Sequence, residues 1–151
     1  MEIKGNNVKI IFILVAAVSI VFFLLAGYVY PATEEDIAKN NAFPFNSNGK
    51  YDRGLFTQFF TSLAFTAGVL LLGYYVISTF VSYGMKHWNT FSAGIYLMFV
   101  YGLGKIGELI YSKELFDAFK DLILPLALIV MAYGSYQVYS DFKGGKTNVN
   151  Q

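Results

Sequence analysis

Four stretches of the chain carry no charged side chain, and they set what it can fold into. They cover residues 10–30, 55–85, 88–104 and 122–140, lengths of 21, 31, 17 and 19 residues. A helix crosses the hydrocarbon of a bilayer with about 20 apolar residues, in a range of about 17–25. The third stretch extends through Ile106 to Tyr111, and the second is long enough to tilt or to project past a bilayer. The expected fold is all-α: an integral membrane four-helix bundle with spans near 8–30, 55–84, 88–111 and 121–140, forming one membrane domain over 1–151.

Composition points the same way. The 151 residues are 56% hydrophobic and 14% charged, against about 45–50% and about 25% in soluble domains. So little charge cannot coat a water-soluble globule of this size. Lys4 and Lys9 ahead of the first apolar run raise the alternative of a cleaved signal peptide. That run exceeds the usual apolar core of about 7–15 residues, and Tyr28-Val29-Tyr30-Pro31 offers no small-x-small cleavage site. A retained helix is expected.

The connections differ in character. Residues 31–54 form a polar extramembrane loop whose front half, from Thr33 as cap through Glu34, Glu35 and Asp36 to Lys39, suits a short helix. Phe43-Pro44-Phe45 then reads as an extended aromatic plug that docks on the bundle or on a partner. A tight turn with Lys86 and His87 makes the second and third helices an antiparallel hairpin. Before the fourth span, Leu115, Phe116, Phe119, Leu122, Ile123 and Leu126 share one face, with Lys113, Glu114, Asp117, Lys120 and Asp121 on the other. This pattern predicts an interfacial amphipathic helix capped by Ser112, with a kink at Pro125 where the fourth span begins. A polar tail covers 141–151.

Lys and Arg near helix ends orient membrane helices. Both termini share a side with Lys4, Lys9, Lys86, Lys143 and Lys146, five cations and two acids (Glu2, Asp141). The opposite side holds six cations (Lys39, Lys50, Arg53, Lys105, Lys113, Lys120) among eight acids, partly in a longer loop. Both termini are assigned to the cytoplasmic side of a cell membrane.

Several chemistries are excluded by inventory. The chain has no Cys, which removes disulfides, thiolate zinc, iron–sulfur clusters and redox dithiols. A single His, His87, cannot supply two haem ligands or a His-rich metal site. The net charge of +1 gives no basic surface for nucleic acid. No nucleophile elbow is present, and Gly102 to Gly107 lacks the spacing of a phosphate-binding loop. No span carries the central carboxylate of a proton-coupled carrier. No cofactor or metal is therefore expected, and no catalytic residue is assigned.

Three constellations remain. On the third helix Gly94, Met98, Tyr101, Lys105, Glu108 and Ser112 share a face; Lys105 and Glu108 are spaced to pair. Gly102, Gly104 and Gly107 strip bulk there, so another helix or a ligand can approach. Tyr101, Lys105 and Glu108 are the candidate contact for a lipid or quinone headgroup, against the plainer reading that the charges mark the far interface. On the second helix Gln58, Thr61, Phe65, Gly68, Leu72, Tyr75, Thr79 and Ser82 form a seam suited to close helix packing. On the fourth, Gly134 and Gln137 lie on a similar face with Ala127, Val130 and Asp141. Tyr28, Tyr30, Tyr83, Trp88, Tyr111, Tyr136 and Tyr139 sit near the expected helix ends as interfacial belts.

The functional expectation is a non-catalytic accessory subunit of a larger integral membrane complex, such as a respiratory or other oxidoreductase assembly. Its partners are other membrane subunits and lipids. The alternative is a small homo-oligomeric channel or transporter using the Lys105/Glu108 pair.

Overall fold

The computed structural model describes residues 5–29, 31, 33–35, 43–46, 48–83, 88–111 and 113–147. Among them are four helices, α1 (Gly5–Val29), α2 (Arg53–Ser82), α3 (Trp88–Ile110) and α4 (Lys113–Thr147), and no strand beyond two isolated bridges. At a rise of about 1.5 Å per residue they span about 37, 45, 35 and 52 Å. Two are long and apolar enough to cross a membrane, α2 over Arg53–Thr79 and α3 over Trp88–Ile110; the described apolar part of α1, Ile10–Ala26, is shorter. The predicted turn at Lys86 and His87, the cap at Ser112 and the stretch from Asp36 through Lys39 lie outside the described residues, as do Lys4, Tyr30 and 148–151.

Helix α3 is the hub. It packs most extensively on α4, then on α2, and also touches α1. Its buried residues, among them Gly94, Ile95, Phe99, Gly102, Gly104 and Gly107, therefore point to all sides of the helix. Glycine makes this possible by removing the side chain where a neighbour crosses. A Cβ on Gly134 would stand 2.6 Å from the backbone N and Cα of Phe91, and one on Gly94 would stand 2.8 Å from the backbone N of Met131. The two contacts are reciprocal, each glycine three residues from the other's neighbour, so α3 and α4 touch backbone to backbone. Gly107 receives the Phe116 ring in the same way, and Gly102 receives Thr66 of α2.

The seam expected on α2 is not the one it uses within this chain. Leu55, Thr66, Gly73 and Ile77 are buried, whereas Gln58, Thr61, Gly68, Tyr75 and Thr79 are exposed. Nothing lies within 4 Å of a Cβ built on Gly68, and Tyr75 is 68% exposed. At about 100° per residue Thr61, Gly68, Tyr75 and Thr79 lie roughly opposite the buried stripe, with Gln58 at its flank. Both stripes have helical spacing, and the inner one prevails because Thr66 and Gly73 meet Gly102 and Ile95 of α3 at a closeness the outer stripe has no partner to match.

The amphipathic segment and the stretch expected as a fourth span are one continuous helix, not two elements. Phe116, Ala127, Gly134 and Val138 are all buried and fall on a single stripe, so the face that begins before Pro125 continues after it. Pro125 is exposed on the opposite side, where its missing N–H costs one outward-facing backbone bond.

Helix α1 is attached along a narrow strip. Ala16 is buried, Phe12 lies under Gly73, and Phe23 packs on Tyr111 and Phe116 with centroids at 5.3 and 6.0 Å. Ser19, the lone hydroxyl of its core, donates to the Val15 carbonyl at 2.9 Å and accepts from the Tyr96 hydroxyl of α3. Most of the remaining perimeter is exposed hydrocarbon, with Phe22 at 68%.

The loop before α2 folds back on the bundle. Phe43 N–H donates to the Leu109 carbonyl at 2.7 Å, satisfying one of the free carbonyls at the end of α3. Its ring stacks on Phe59 at 4.4 Å and lies 5.9 Å from Phe56. The Phe43-Pro44 bond is cis. A small hairpin follows: Asn46 Oδ1 accepts from the N–H groups of Asn48 and Lys50, and Gly49 takes the positive φ (69°) that closes the turn. Asp52 then caps α2, accepting from Gly54 N–H at 2.7 Å.

Candidate functional site

Three helix ends meet in a polar cleft. The last turns of α3 supply Lys105, Glu108 and Leu109; the first turns of α2 supply Thr57, Gln58, Thr61 and Ser62; the start of α4 supplies Lys120. The cleft has a volume of about 370 Å³. It exists because α2 and α4 flank α3 without packing extensively on one another. Four residues expected from the sequence, Gln58, Thr61, Lys105 and Glu108, are thus brought together.

Their pairing differs from the expected one. Glu108 does not take Lys105; its Oε2 accepts from Lys120 Nζ at 2.5 Å, and Lys120 also binds Asp117 Oδ1 at 2.7 Å. The cause is local packing. A Cβ on Gly104 would sit 3.3 Å from Lys120 Cβ, so the bare glycine lets α4 bring Lys120 across the end of α3. Lys105 instead reaches toward the Tyr101 ring, with Nζ 6.0 Å from its centroid. Among the described residues Lys105 has no ion pair. Tyr101 lies one turn deeper than the cleft, edge-on to Phe65 at 6.1 Å.

The charge balance follows from these contacts. Burial would lower the Lys120 pKa, but hydrogen bonds to Asp117 and Glu108, with their negative charges, outweigh it and hold the ammonium well above the ordinary lysine value. The hydrogen bond and charge of Lys120 hold the Asp117 carboxyl below the usual carboxylate range. Glu108 and Asp117 share Lys120, and among the charged groups that line the cleft Lys105 alone has no ion pair among the described residues.

Free hydrogen-bonding groups also converge there. Thr57 and Thr61 donate to the carbonyls four residues back, Arg53 and Thr57, at 2.9 and 2.8 Å. By contrast the Gln58 amide, the Ser62 hydroxyl and the Lys105 ammonium have no side-chain partner among the described residues. Lys120 and Ser62 were not legible as site residues in sequence. A faint signal existed for both: Lys120 follows buried Phe116 by one turn, and Ser62 follows Gln58 by one turn.

The other predicted positions lie elsewhere. Gly68, Tyr75 and Thr79 continue down the outer face of α2, away from the cleft. Gly134 sits in the α3–α4 contact, and nearby Gln137 has a buried Oε1 without a partner. Phe43 is occupied inside the chain, Pro44 is half-buried, and Phe45 is 48% exposed. A second cavity of about 420 Å³ lies between α1, α3 and α4; Phe22, Phe23, Leu103 and Phe119 line it, with Ser19 and Tyr96 on its wall.

Among the described residues no group of three or more His, Asp or Glu is placed to hold a metal ion. No protein family, curated protein or solved structure matches the chain.

Proposed function

We propose that the chain is a multi-pass integral membrane protein with both termini cytoplasmic, and that it serves as a non-catalytic accessory subunit of a larger membrane complex. The observation that carries this is the outer face of α2. Thr61, Gly68, Tyr75 and Thr79 form a small and hydroxyl-bearing stripe that none of the described residues covers. Lipid gains nothing from such a stripe, whereas a partner helix can approach closely along it.

Two further features support the bilayer setting. Three outward serine and threonine hydroxyls are satisfied within their own helices: Thr79 donates to Tyr75 O at 2.8 Å, Ser82 to Ser78 O at 2.7 Å, Ser135 to Met131 O at 2.8 Å. They make no demand on water, as the apolar bilayer interior requires. Helix α1 also exposes hydrocarbon over most of its perimeter, far more than a protein surrounded by water tolerates. Exposed Phe45, beside the docked Phe43, is the loop's contribution to a partner surface. Complexes of the respiratory or other oxidoreductase kind fit a subunit with no redox ligands of its own.

The test is purification in mild detergent through a C-terminal tag, followed by native mass measurement and identification of every retained chain. Stoichiometric larger subunits are expected. A symmetric oligomer of this chain alone would overturn the accessory role and favour the second reading, a small channel or transporter. That reading draws on the polar cleft, and it predicts flux abolished by Glu108→Gln.

A further inference from the structure

We propose that the polar cleft binds a phosphodiester anion bearing hydroxyl groups, the chemistry of a phosphoglycerol headgroup. This rests on the bilayer setting proposed above, and it assigns a ligand class to the cleft formed by α2, α3 and α4. Charge selects the ligand's sign. Glu108 is compensated by Lys120 at 2.5 Å, while half-buried Lys105 has no anionic partner among the described residues. Lys120 is held by two carboxylates, Glu108 and Asp117, so among the described residues Lys105 is the one charged group lining the cleft without an ion pair; its open contact suits an anion and disfavours a choline group.

Donor placement narrows the class. The Lys105 ammonium, the Gln58 amide and the Ser62 hydroxyl face the same cleft with unused N–H and O–H groups. Such a set matches several oxygens on one centre, as phosphate presents, better than a single carbonyl. Glu108 uses Oε2 on Lys120, and its other oxygen remains free to accept from a ligand hydroxyl. A volume of about 370 Å³ takes a phosphoglycerol-sized group but not acyl chains with it. Chains have a place outside: Phe65 and Leu72, 37% and 55% exposed, continue the face of α2 that begins at Gln58 and Thr61. The cleft also lies at the ends of three helices, the depth at which a headgroup sits.

Alkaline carbonate extraction of membranes comes first. Release of the chain into the soluble fraction would overturn the bilayer setting itself. Retained protein is then placed in nanodiscs of phosphatidylglycerol or phosphatidylcholine, and lipid retained on ejection is measured by native mass spectrometry; inorganic phosphate and glycerol phosphate are titrated separately. One phosphatidylglycerol per chain is expected, falling about tenfold or more in Lys105→Ala, the scale of one charge-assisted hydrogen bond. Lys50→Gln, on the exposed hairpin, should change nothing. Gln58→Leu serves as a second variant, and both cleft variants must keep wild-type helicity. Lys105-dependent binding of soluble phosphate without lipid retention would support the same chemistry from a soluble source. Equal retention of both lipids, or retention indifferent to Lys105 and Gln58, would overturn the proposal.

Discussion

The contact between α3 and α4 allows a sharp test, because the same substitution should have opposite effects at two glycines. In Gly134→Ala the new methyl would lie 2.6 Å from the N and Cα of Phe91 and 3.0 Å from its Cβ. Ordinary carbon contacts lie at about 3.5–4.0 Å, so the helices must separate by about 1 Å. The obstructing atoms are backbone and cannot rotate away. Separation there also opens the reciprocal contact of Gly94 with Met131. Overpacking of this kind costs about 1–3 kcal/mol. In Gly68→Ala no atom lies within 4 Å of the new methyl, and only the helix preference for Ala over Gly acts, stabilising by up to about 1 kcal/mol. That preference is common to both variants and cancels in their difference. Gly134→Ala should therefore be about 1–3 kcal/mol less stable than Gly68→Ala in the isolated chain. Reversible unfolding in mixed micelles, followed by helicity and by fluorescence of Trp88, measures it. Stabilities within about 0.5 kcal/mol of each other would refute the backbone-to-backbone contact.

Two other outcomes are expected. Ser19→Ala and Tyr96→Phe should each loosen α1, and a double-mutant cycle in detergent should give a coupling of about 0.6 kcal/mol, at most about 1.7; zero coupling would mean the bond is not made. The Lys120 cluster should stabilise the fold across a defined pH window. The depressed Asp117 pKa adds stability that is present above about pH 4 and is lost as pH falls through the folded value. The raised Lys120 pKa adds stability that is complete below about pH 10 and is lost only as pH rises through its folded value. Thermal unfolding should be flat between those limits, and Lys120→Met should remove much of the acid-side loss; an unchanged acid arm in that variant would count against the cluster.

The helices themselves were readable because charge is expensive to bury and its absence marks long apolar segments. What sequence periodicity did not reveal is which of several equivalent faces packs. On α2 two stripes have the same spacing, and only the position of Gly102 and Ile95 on α3 selects the one through Thr66 and Gly73. Pro125 resembled a boundary because proline breaks hydrogen bonding, but it falls opposite the stripe that holds α4 to α3, so the helix runs through it. Lys105 and Glu108 had the spacing of a pair along one helix. A cross-helix partner at 2.5 Å prevails, since Gly104 admits Lys120 and a neighbouring helix can aim a side chain more directly than the same helix three residues away.

These differences share one physical origin. The glycines of α3 sit wherever a neighbour crosses it, so polar groups on the crossing helices are carried to places their own sequence does not predict. Thr66 is pressed into Gly102 and turns its hydroxyl back to the Ser62 carbonyl at 2.7 Å. Lys120 is drawn over Gly104 and turns to Glu108. Along the outward faces of α2 and α4, Thr61, Thr79, Ser82 and Ser135 find acceptors in their own helices. At the cleft three donors, Lys105, Gln58 and Ser62, face one space without such closure. Among the described residues these three unused donors, an ammonium, an amide and a hydroxyl, are gathered at one end of the bundle around a single cavity, and that is where the chain is best equipped to recognise an outside ligand.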